Sequence, residues 1–580
     1  MDTVRLGLAQ IDVSVGDLEG NLKKILGYVD TAKNLGVDIL CFPELAITGY
    51  PPEDLLLKPS FIEDNLKTLD KIREASEELT VVLGFADKKE DDIYNAAAIV
   101  HNQHLIDVYH KRYLPNYGVF DENRYFQSGL RAPIYKLGNV TFGVNVCEDI
   151  WYPGDPTREQ AILGDAEIII NISSSPYYVS KVKSRERMLS VRASDYSVII
   201  AYCNLVGGQD ELVFDGHSVI ISERGEVIAR ASGFKEELLV ADVSPSRVFR
   251  SRLHDSRIRK EKYTLRLESK KVETIKISSV GSEKDSRPQI TPRVEEFLGI
   301  EEEVFRALVL GTRDYVHKNG FKKVVIGLSG GIDSALVAAI ATQALSGENV
   351  VGVRMPSRYS SEGSMIDAEL LSKNLGTELL TIPIEKAFGA YLDMLSNVFH
   401  GREHDITEEN IQARIRGNIL MALSNKFGWL VLTTGNKSEV SVGYSTLYGD
   451  MAGGFAVIKD VPKTLVYRLA QFYNSWKGKE IIPKSVLEKE PSAELRANQK
   501  DEDFLPPYDV LDPILKAYVE DDLRIKETVA LGFDEDLVRR VVRMVDLNEY
   551  KRRQGPPGIK ITVRAFGKDR RFPITNLYRE

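Results

Sequence analysis

Short apolar runs alternate with longer amphipathic stretches along most of the chain, and this pattern predicts strands separated by helices. Several runs in the first half are continuous in Ile, Val and Leu, as is typical of sheets that are covered on both faces. Residues 20–34 have the apolar spacing of a helix, and residues 215–231 predict a hairpin. The strands predicted in this half are 4–11, 37–45, 80–86, 96–101, 140–146, 167–172 and 198–204.

The second half repeats single strands and helices in turn, which predicts an α/β domain with a doubly wound parallel sheet. Such sheets bind ligands at the carboxyl ends of their strands. The helices predicted here are 304–319 and 334–344, and the strands are 323–328, 349–354, 378–383 and 429–433.

The regular alternation of apolar runs and amphipathic stretches stops between the two halves. Residues 246–271 are rich in Arg and Lys, and residues 278–292 contain Gly, Ser, Lys, Asp and two prolines, as is typical of a linker or a crossing arm. A chain of 580 residues is also too long for one core, because single cores stop growing at about 250–300 residues. The basic part, 247–271, is either an interdomain or intersubunit contact or a solvated linker. We predict an N-terminal domain at 1–265, a linker or arm at 266–295 and a C-terminal domain at 296–580.

Composition narrows the class of protein. Apolar residues make up 43% and charged residues 28% of the chain, an ordinary balance for a globular protein. The net charge of −9 argues against a nucleic-acid partner. Three cysteines are too few for a disulfide framework and favour a reducing cytoplasm. No leader pattern opens the sequence and no apolar run reaches the about 20 residues that span a bilayer, so no membrane partner is expected.

A glycine-rich string lies between a predicted strand and a predicted helix. Its glycines let backbone N–H groups turn toward one anion, and the helix N-terminus adds a positive dipole end. A lone Gly-Gly pair is more often only a tight connection, and the Gly-Lys-Ser/Thr ending of the ordinary P-loop is missing. The whole string nevertheless resembles the pyrophosphate-binding loop of N-type ATP pyrophosphatases, which transfer AMP from ATP to a carboxylate. The resemblance implies ATP with Mg²⁺ at Ser329, Gly330, Gly331, Ile332, Asp333 and Ser334.

Four further strings narrow this resemblance to the NAD synthetases, over about residues 300–580. They are 409–416 (Glu-Asn-Ile-Gln-Ala-Arg-Ile-Arg), 434–439 (Thr-Gly-Asn-Lys-Ser-Glu), 443–450 (Gly-Tyr-Ser-Thr-Leu-Tyr-Gly-Asp) and 490–495 (Glu-Pro-Ser-Ala-Glu-Leu). That family adenylates the carboxylate of deamido-NAD, and ammonia then displaces AMP to leave NAD.

The NAD synthetase resemblance implies roles for individual residues. Asp333 and Glu439 would hold Mg²⁺, because two carboxylates that converge on a phosphate site need a cation between them. By spacing alone, Glu439 and Asn410 could equally be surface residues. Shorter members have His-Lys-Arg near the C-terminus, and Gly567 stands here in the histidine place. The further residues implied are Thr434, Lys463 and Ser492 for ATP, and Asn410, Glu439 and Lys568 for deamido-NAD.

Three residues of the first half are each expected at the end of a strand: Glu44, Lys111 and Cys147. Cys41 and Cys203 lie inside apolar runs and are interpreted as small buried hydrophobic residues. The order Glu, Lys, Cys resembles the nitrilase superfamily over about residues 1–260, and implies a four-layer α-β-β-α sandwich.

The nitrilase resemblance implies a glutaminase. Cys147 would attack the glutamine amide, Glu44 would act as general base, and Lys111 would stabilise the oxyanion. No histidine takes part, and His110 is expected to be exposed or structural. The glutamine-binding residues implied are Tyr117, Glu148, Ser174 and Ser180.

The two halves together resemble the family of glutamine-dependent NAD synthetases over nearly the whole chain. The resemblance implies glutamine, ATP and deamido-NAD as substrates, a large homo-oligomer, and a sheltered passage for ammonia, which would otherwise become ammonium. Three alternatives stay open: another glutamine-dependent ligase, a carbon–nitrogen hydrolase with a regulatory nucleotide domain, and a nucleotide sensor that no longer reacts. The Glu-Lys-Cys set disfavours the first, because GMP- and asparagine-forming enzymes resemble other glutaminase types.

Overall fold

The computed structural model describes residues 3–268, 271–278, 287–497 and 499–578. The chain forms two compact units. The N-terminal unit comprises the residues up to Gln209 and Val213–Phe297, and the C-terminal unit comprises Asp210–Leu212 and the residues from Leu298. Of the predicted linker 266–295, residues 269, 270 and 279–286 lie outside the described residues.

Two mixed sheets form the N-terminal unit. One has the strand order β14-β1-β2-β3-β4-β5 and the other β13-β12-β9-β8-β7-β6-β15, while β10 and β11 pair separately. The strands are β1 (Val4–Gln10), β2 (Ile39–Cys41), β3 (Thr80–Lys89), β4 (Asp92–His101), β5 (His104–His110), β6 (Ile134–Leu137), β7 (Val140–Val146), β8 (Ile168–Ser173), β9 (Ile199–Asn204), β10 (Val206–Gln209), β11 (Leu212–Asp215), β12 (Val219–Ile221), β13 (Val227–Arg230), β14 (Glu237–Val243) and β15 (Thr274–Ser278).

The core of this unit lies between the two sheets. Side chains of both sheets, such as Leu8 and Val82 from one and Phe142 and Ile170 from the other, belong to one buried cluster. Helices cover the outer faces, with α2 against β3 and α3 against β9 and β12, which gives the expected α-β-β-α order. The helices are α1 (Leu18–Asn34), α2 (Pro59–Glu74), α3 (Lys181–Tyr196), α4 (Ser246–His254) and α5 (Ser256–Leu267).

The basic stretch after residue 246 is not the linker that its composition suggested, because it folds into α4 and α5. Ile258 and Leu265 of α5 are buried against Ile162, so a few apolar contacts stabilise a mostly charged helix. The predicted hairpin is confirmed, since β12 and β13 pair in antiparallel fashion. The predicted strand 37–45 is shorter than expected, because only Ile39–Cys41 pairs before the chain turns.

The C-terminal unit contains one parallel sheet with the strand order β18-β17-β16-β19-β20, which confirms the predicted doubly wound type. The short strand β20 was not predicted. The strands are β16 (Val324–Gly327), β17 (Val350–Arg354), β18 (Glu378–Thr381), β19 (Leu430–Thr433) and β20 (Phe455–Ala456).

Helices surround this parallel sheet. α7 is apolar along most of its length and is buried against the central strands β16 and β17. α10 begins at a capping box formed by Asp405 and Glu408. Within the described ranges, no helix combines the length and apolar character that crossing a bilayer requires. The helices are α6 (Ile300–Lys318), α7 (Ile332–Leu345), α8 (Glu362–Leu375), α9 (Glu385–Leu395), α10 (Ile406–Phe427), α11 (Lys437–Val442), α12 (Lys463–Lys477), α13 (Lys484–Glu488), α14 (Tyr508–Leu515), α15 (Ile525–Ala530), α16 (Glu535–Leu547) and α17 (Glu549–Arg552).

Candidate active sites

The first candidate site lies where three strands of the N-terminal unit end. Glu44 lies beyond β2, Lys111 follows β5 and Cys147 follows β7. The Nζ atom of Lys111 lies 2.7 Å from Oε1 of Glu44, and both side chains are fully buried. The Cys147 thiol interacts electrostatically with both groups. The two facing sheets therefore bring the three predicted residues into one site.

Cys147 has a strained backbone and a thiol whose pKa is raised. Its φ of 43° lies in the left-handed region, which residues other than glycine rarely adopt, at the start of a short turn, Cys147–Ile150. Burial raises the pKa of the thiol well above its ordinary value; Glu44 adds to this rise and Lys111 opposes it. The thiol therefore needs a base such as Glu44 before it can act as a nucleophile.

Glu122 is a member of the same cluster that the sequence did not predict. The Nζ atom of Lys111 lies 2.8 Å from its Oε2 atom, and the hydroxyl of Tyr50 donates to its Oε1 atom at 2.9 Å. Burial raises the pKa of Glu122 to about 7, although Lys111 opposes this rise. Glu122 lies in a short turn, Glu122–Arg124, and not at the end of a strand. The hydrophobic pattern therefore carries no signal for it.

Asn95 and Ser174 hold Glu44 in place. The side-chain amide of Asn95 donates to Oε1 of Glu44 at 2.7 Å and to Oε2 of Glu122 at 3.4 Å. The backbone N–H of Ser174 donates to Oε2 of Glu44 at 2.9 Å, and its hydroxyl donates to the Glu44 carbonyl at 2.9 Å. Ser174 thus contacts the predicted base, and its predicted role in binding glutamine stays a prediction.

The other predicted glutamine-binding residues lie in three different environments. The Tyr117 hydroxyl donates to the carboxylate of Glu148 at 3.0 Å, so these two side chains come together. Tyr117 is 59% exposed, whereas Glu148 is buried, and burial raises the pKa of the Glu148 carboxyl. Ser180 is partly exposed before the first turn of α3, with a φ of 66°.

The second candidate site begins with the turn between β16 and α7. Gly330 has a φ of 77°, and a Cβ atom there would lie 2.3 Å from the carbonyl oxygen of Ser364, so only glycine fits. The Gly331 N–H donates to Ser329 Oγ at 3.2 Å, and the Ser334 hydroxyl donates to the Gly331 carbonyl at 3.0 Å. These bonds hold the turn at the positive end of α7, where anions bind.

Two carboxylates and a lysine meet beside this turn. The ammonium of Lys463, which is buried, contacts Oδ2 of Asp333 and lies 3.3 Å from Oε1 of Glu439. The Asn436 amide donates to Oδ1 of Asp333 at 2.9 Å, and its oxygen accepts the Glu439 N–H at 3.0 Å. Burial raises the pKa of Glu439 to about 8; Lys463 opposes this rise and Asp333 adds to it. Both carboxylates thus face one cation.

This donor set fits Mg²⁺. The ion commonly takes one or two protein carboxylates and completes its shell with substrate phosphates and water. Asp333 and Glu439 supply two such carboxylates beside a turn that suits phosphate, and they already share a cationic partner in Lys463.

A cavity of about 760 Å³ opens beside the carboxylate pair. Gly330 and Lys568 are not among the described residues that line it. Within its wall, the Thr446 hydroxyl donates to Oδ1 of Asn410 at 2.7 Å, and the Ser492 hydroxyl donates to the Gln499 carbonyl at 2.6 Å. The predicted residues that line the cavity are Ser329, Gly331, Ile332, Asp333, Ser334, Asn410, Thr434, Glu439, Lys463 and Ser492.

Comparison with known proteins matches both units. The carbon-nitrogen hydrolase family model matches residues 5–252, and the NAD synthase model matches residues 304–555. The glutamine-dependent NAD(+) synthetase of Thermotoga maritima is 53% identical over 582 residues, with 100% of each chain covered. The chain belongs to the glutamine-dependent NAD synthetase family. The Aquifex aeolicus glutamine-dependent NAD(+) synthetase is 47% identical, over 99% of this chain and 100% of that one.

Solved structures of glutamine-dependent NAD synthetases share this architecture. The enzyme from Acinetobacter baumannii, in complex with ADP, aligns with a TM-score of 0.73 at 40% identity over 99% of both chains. The enzyme from Cytophaga hutchinsonii aligns with a TM-score of 0.80 over 99% of this chain and 98% of that one, and at 23% identity it supports the fold alone. The family resemblance and the fold class that were expected from the sequence are thus confirmed.

Asp501 and Lys551 are among the polar residues that line the cavity of this glutamine-dependent NAD synthetase family member and were not predicted. Asp501 accepts the Tyr508 hydroxyl at 2.9 Å and the Tyr444 hydroxyl at 3.3 Å. Lys551 donates to the Gly443 carbonyl at 2.8 Å. Both line the cavity. Each lies in a charged stretch far along the chain from the glycine-rich turn, so its pattern is that of an ordinary solvated surface.

Proposed function

We propose that the chain makes NAD from deamido-NAD, using ATP and the amide nitrogen of glutamine. Glutamine is hydrolysed at Glu44, Lys111 and Cys147, and the ammonia released is used at the site around Asp333. The observation that carries this proposal is the buried contact of 2.7 Å between Lys111 and Glu44 beside the strained Cys147. A base, an oxyanion donor and a nucleophile are the groups that an amide-cleaving site needs.

In the glutaminase step, Glu44 takes the thiol proton and Cys147 Sγ attacks the side-chain amide carbon of glutamine. The ammonium of Lys111 stabilises the oxyanion of the tetrahedral intermediate. Glu44 then returns the proton to the amide nitrogen, ammonia leaves, and a thioester stays on Cys147. Water adds to the thioester after Glu44 takes its proton, and glutamate is released as the thiol regains a proton.

In the synthetase step, the glycine-rich turn and Lys463 bind the phosphates of ATP, and Asp333 and Glu439 would hold Mg²⁺. Mg²⁺ would neutralise charge on the pyrophosphate leaving group. The deamido-NAD carboxylate attacks the α-phosphate of ATP to give an adenylate and pyrophosphate. Ammonia then attacks the acyl carbon, and AMP leaves to give NAD.

Other parts of the proposal are supported by family membership alone. They are the domain assignments (glutaminase at 1–265, linker at 266–295, synthetase at 296–580), glutamine binding by Tyr117, Glu148, Ser174 and Ser180, and deamido-NAD binding by Asn410, Glu439 and Lys568. Sheltered transfer of ammonia, assembly into a homo-oligomer and a cytoplasmic location also remain predictions. Sedimentation of the purified chain would test the oligomer.

The decisive experiment measures AMP and glutamate when ATP, deamido-NAD and glutamine are supplied together and with each omitted. The proposal expects equal amounts of NAD and AMP in the complete mixture, with at least as much glutamate. Omission of deamido-NAD should stop AMP release, and ammonium should replace glutamine. AMP release without deamido-NAD, or NAD formation without ATP, would contradict the proposal.

A further inference from the structure

Asp149 lies two residues after Cys147 and is fully buried. Its Oδ1 atom accepts the backbone N–H groups of Arg112 at 3.0 Å and Tyr113 at 2.9 Å. Its Oδ2 atom accepts the Tyr109 hydroxyl at 2.7 Å and the backbone N–H of Val146 at 3.0 Å. Four donors, three of them from the backbone, thus converge on a single carboxylate.

These donors flank two of the reacting groups. Arg112 and Tyr113 directly follow Lys111, and Tyr109 lies two residues before it, on β5. The fourth donor belongs to the residue that precedes Cys147, at the end of β7. Because β5 and β7 belong to different sheets, the carboxylate of Asp149 fastens the strand end that carries Lys111 to the strand end that carries Cys147.

The other contacts of Lys111 come from the first sheet, from Glu44 and Glu122, and from Gly129, whose backbone N–H donates to the Lys111 carbonyl at 2.8 Å. Its backbone N–H donates to the Asn95 carbonyl at 2.9 Å, and its ammonium is held by Glu44 and Glu122.

Ser174, after β8 of the second sheet, contacts Glu44, whereas Asp149 joins the backbone on both sides of Lys111 directly to the residue before Cys147. A carboxylate suits this place, because each oxygen accepts two donors, whereas an amide would present N–H groups to two of them.

We infer that Asp149 is a positioning residue of the glutaminase half: it fixes the Lys111 ammonium relative to the Cys147 thiol. It therefore governs stabilisation of the oxyanion and not the affinity for glutamine. The inference rests on the proposed glutaminase function. A misplacement of about 1 Å costs on the order of 100-fold in rate, so the substitution should lower kcat much more than it changes KM.

The test compares Asp149→Asn with Asp38→Asn. Asp38 is a matched control, because it is also a buried carboxylate that accepts a backbone N–H, from Arg5 at 2.8 Å. It precedes β2, at the end of that strand remote from Glu44. Glutamate release is measured on each variant and divided by the number of Cys147 thiols that iodoacetamide titrates, and ammonia-supported NAD formation is measured on the same preparation.

We expect Asp149→Asn to lower kcat per titrated thiol by about 50-fold and to change the KM for glutamine by less than about threefold. Ammonia-supported NAD formation and the Asp38→Asn control should keep the unsubstituted rates. A kcat per thiol within about twofold of the unsubstituted value, or a loss that appears in KM, would overturn the inference.

A second variant keeps the inference testable if Asp149→Asn does not fold. Tyr109→Phe removes one of the four donors and leaves the three backbone donors, so kcat should fall by about three- to fivefold at constant KM. An unchanged kcat in Tyr109→Phe would then overturn the inference. Cys147→Ala, assayed in parallel, separates the two failures: if glutamine hydrolysis survives it, the proposed function itself is wrong.

Discussion

Lys111 and Lys463 occupy similar positions in the two candidate sites, because each ammonium lies between two carboxylates. Their surroundings differ. The side chains of the carboxylates beside Lys111 are 0% and 5% exposed, whereas both carboxylates beside Lys463 are 18% exposed and line a cavity of about 760 Å³. The carboxylates of the first cluster are almost fully buried, and those of the second line an open cavity.

The difference in burial decides what each lysine can do. Around Lys111, Asn95, Ser174 and Tyr50 hold the carboxylates from several sides, so this cluster is a fixed part of the site. Fixed charges stabilise a transition state without reorganisation. Under the proposed function, a phosphate of ATP would replace one carboxylate as the partner of the Lys463 ammonium, so this cluster would exchange ligands. Burial therefore separates two lysines with similar partners: Lys111 is expected to act in catalysis, and Lys463 is expected to act in binding.

The largest expected effect separates the two sites completely. Cys147→Ala removes the only nucleophile proposed for glutamine, so glutamine-supported NAD formation should fall by at least about 1000-fold. Ammonia-supported formation should stay at the unsubstituted rate, because the C-terminal site is untouched. NAD formation with each nitrogen source, followed by absorbance after enzymatic reduction, measures both. An equal loss with both sources would contradict two separable sites.

Asp333→Ala should give the reverse pattern for the open site. Loss of one of the two proposed Mg²⁺ ligands should lower NAD formation by about 100- to 1000-fold with either nitrogen source. Glutamate release should persist. Calorimetric titration of ATP with and without Mg²⁺ provides a second readout, in which the variant should lose the dependence of ATP affinity on Mg²⁺. Near-normal synthesis with ammonia would exclude the magnesium assignment.

The paired variants Lys111→Met and Lys463→Met test the comparison of burial directly. Methionine keeps much of the side-chain volume and removes the charge. Lys111→Met should lower the kcat of glutamate release by about 100-fold with little change in KM, because its charge acts in the transition state. Lys463→Met should raise the KM for ATP by about 10- to 30-fold, since it acts in binding. If both variants changed mainly kcat, or both changed mainly KM, the proposed difference between the cluster around Lys111 and the cluster around Lys463 would be wrong.

Whether a site residue could be predicted from the sequence depends on where it lies relative to its strand or turn. Glu44, Lys111 and Cys147 lie at strand ends, and they were predicted because their order resembles the nitrilase superfamily; β5, which precedes Lys111, is antiparallel to its neighbour. Glu122 lies in a turn without a preceding strand, and Asn95 lies inside β4, so neither has a pattern that distinguishes it from a structural residue.

Packing explains several features of the structure that the sequence pattern does not show. The two helices after residue 246 depend on buried contacts such as Leu265, which composition does not reveal. The hydroxyl of Ser174 lies in a serine-rich loop, and the tertiary structure brings it to the Glu44 carbonyl, a contact that the loop's composition does not reveal. Lys463, at the start of α12, reaches Asp333 only because the helix packs beside α7.

The smallest expected effect concerns a proton on Glu122, in the buried cluster around Lys111. Glu122 has a pKa raised to about 7 by burial beside Glu44, whereas an unfolded Glu titrates near about 4.3. Between these values the folded state holds a proton that the unfolded state has released. Stability from this group is therefore present at low pH, falls as pH rises toward about 7, and is constant above that value.

Glu122→Gln cannot titrate, so it should gain unfolding free energy relative to the unsubstituted chain by on the order of 2 kcal/mol between about pH 5 and pH 8. Of the three tryptophans, Trp151 is the one in the N-terminal unit. Fluorescence-detected urea unfolding in a Trp429→Phe, Trp476→Phe background therefore reports on this unit. Glu63→Gln, at an exposed position of α2, is the control and should show no such gain. Parallel pH curves for the two variants would mean that Glu122 holds no proton at neutral pH, and that the cluster around Lys111 carries two full negative charges.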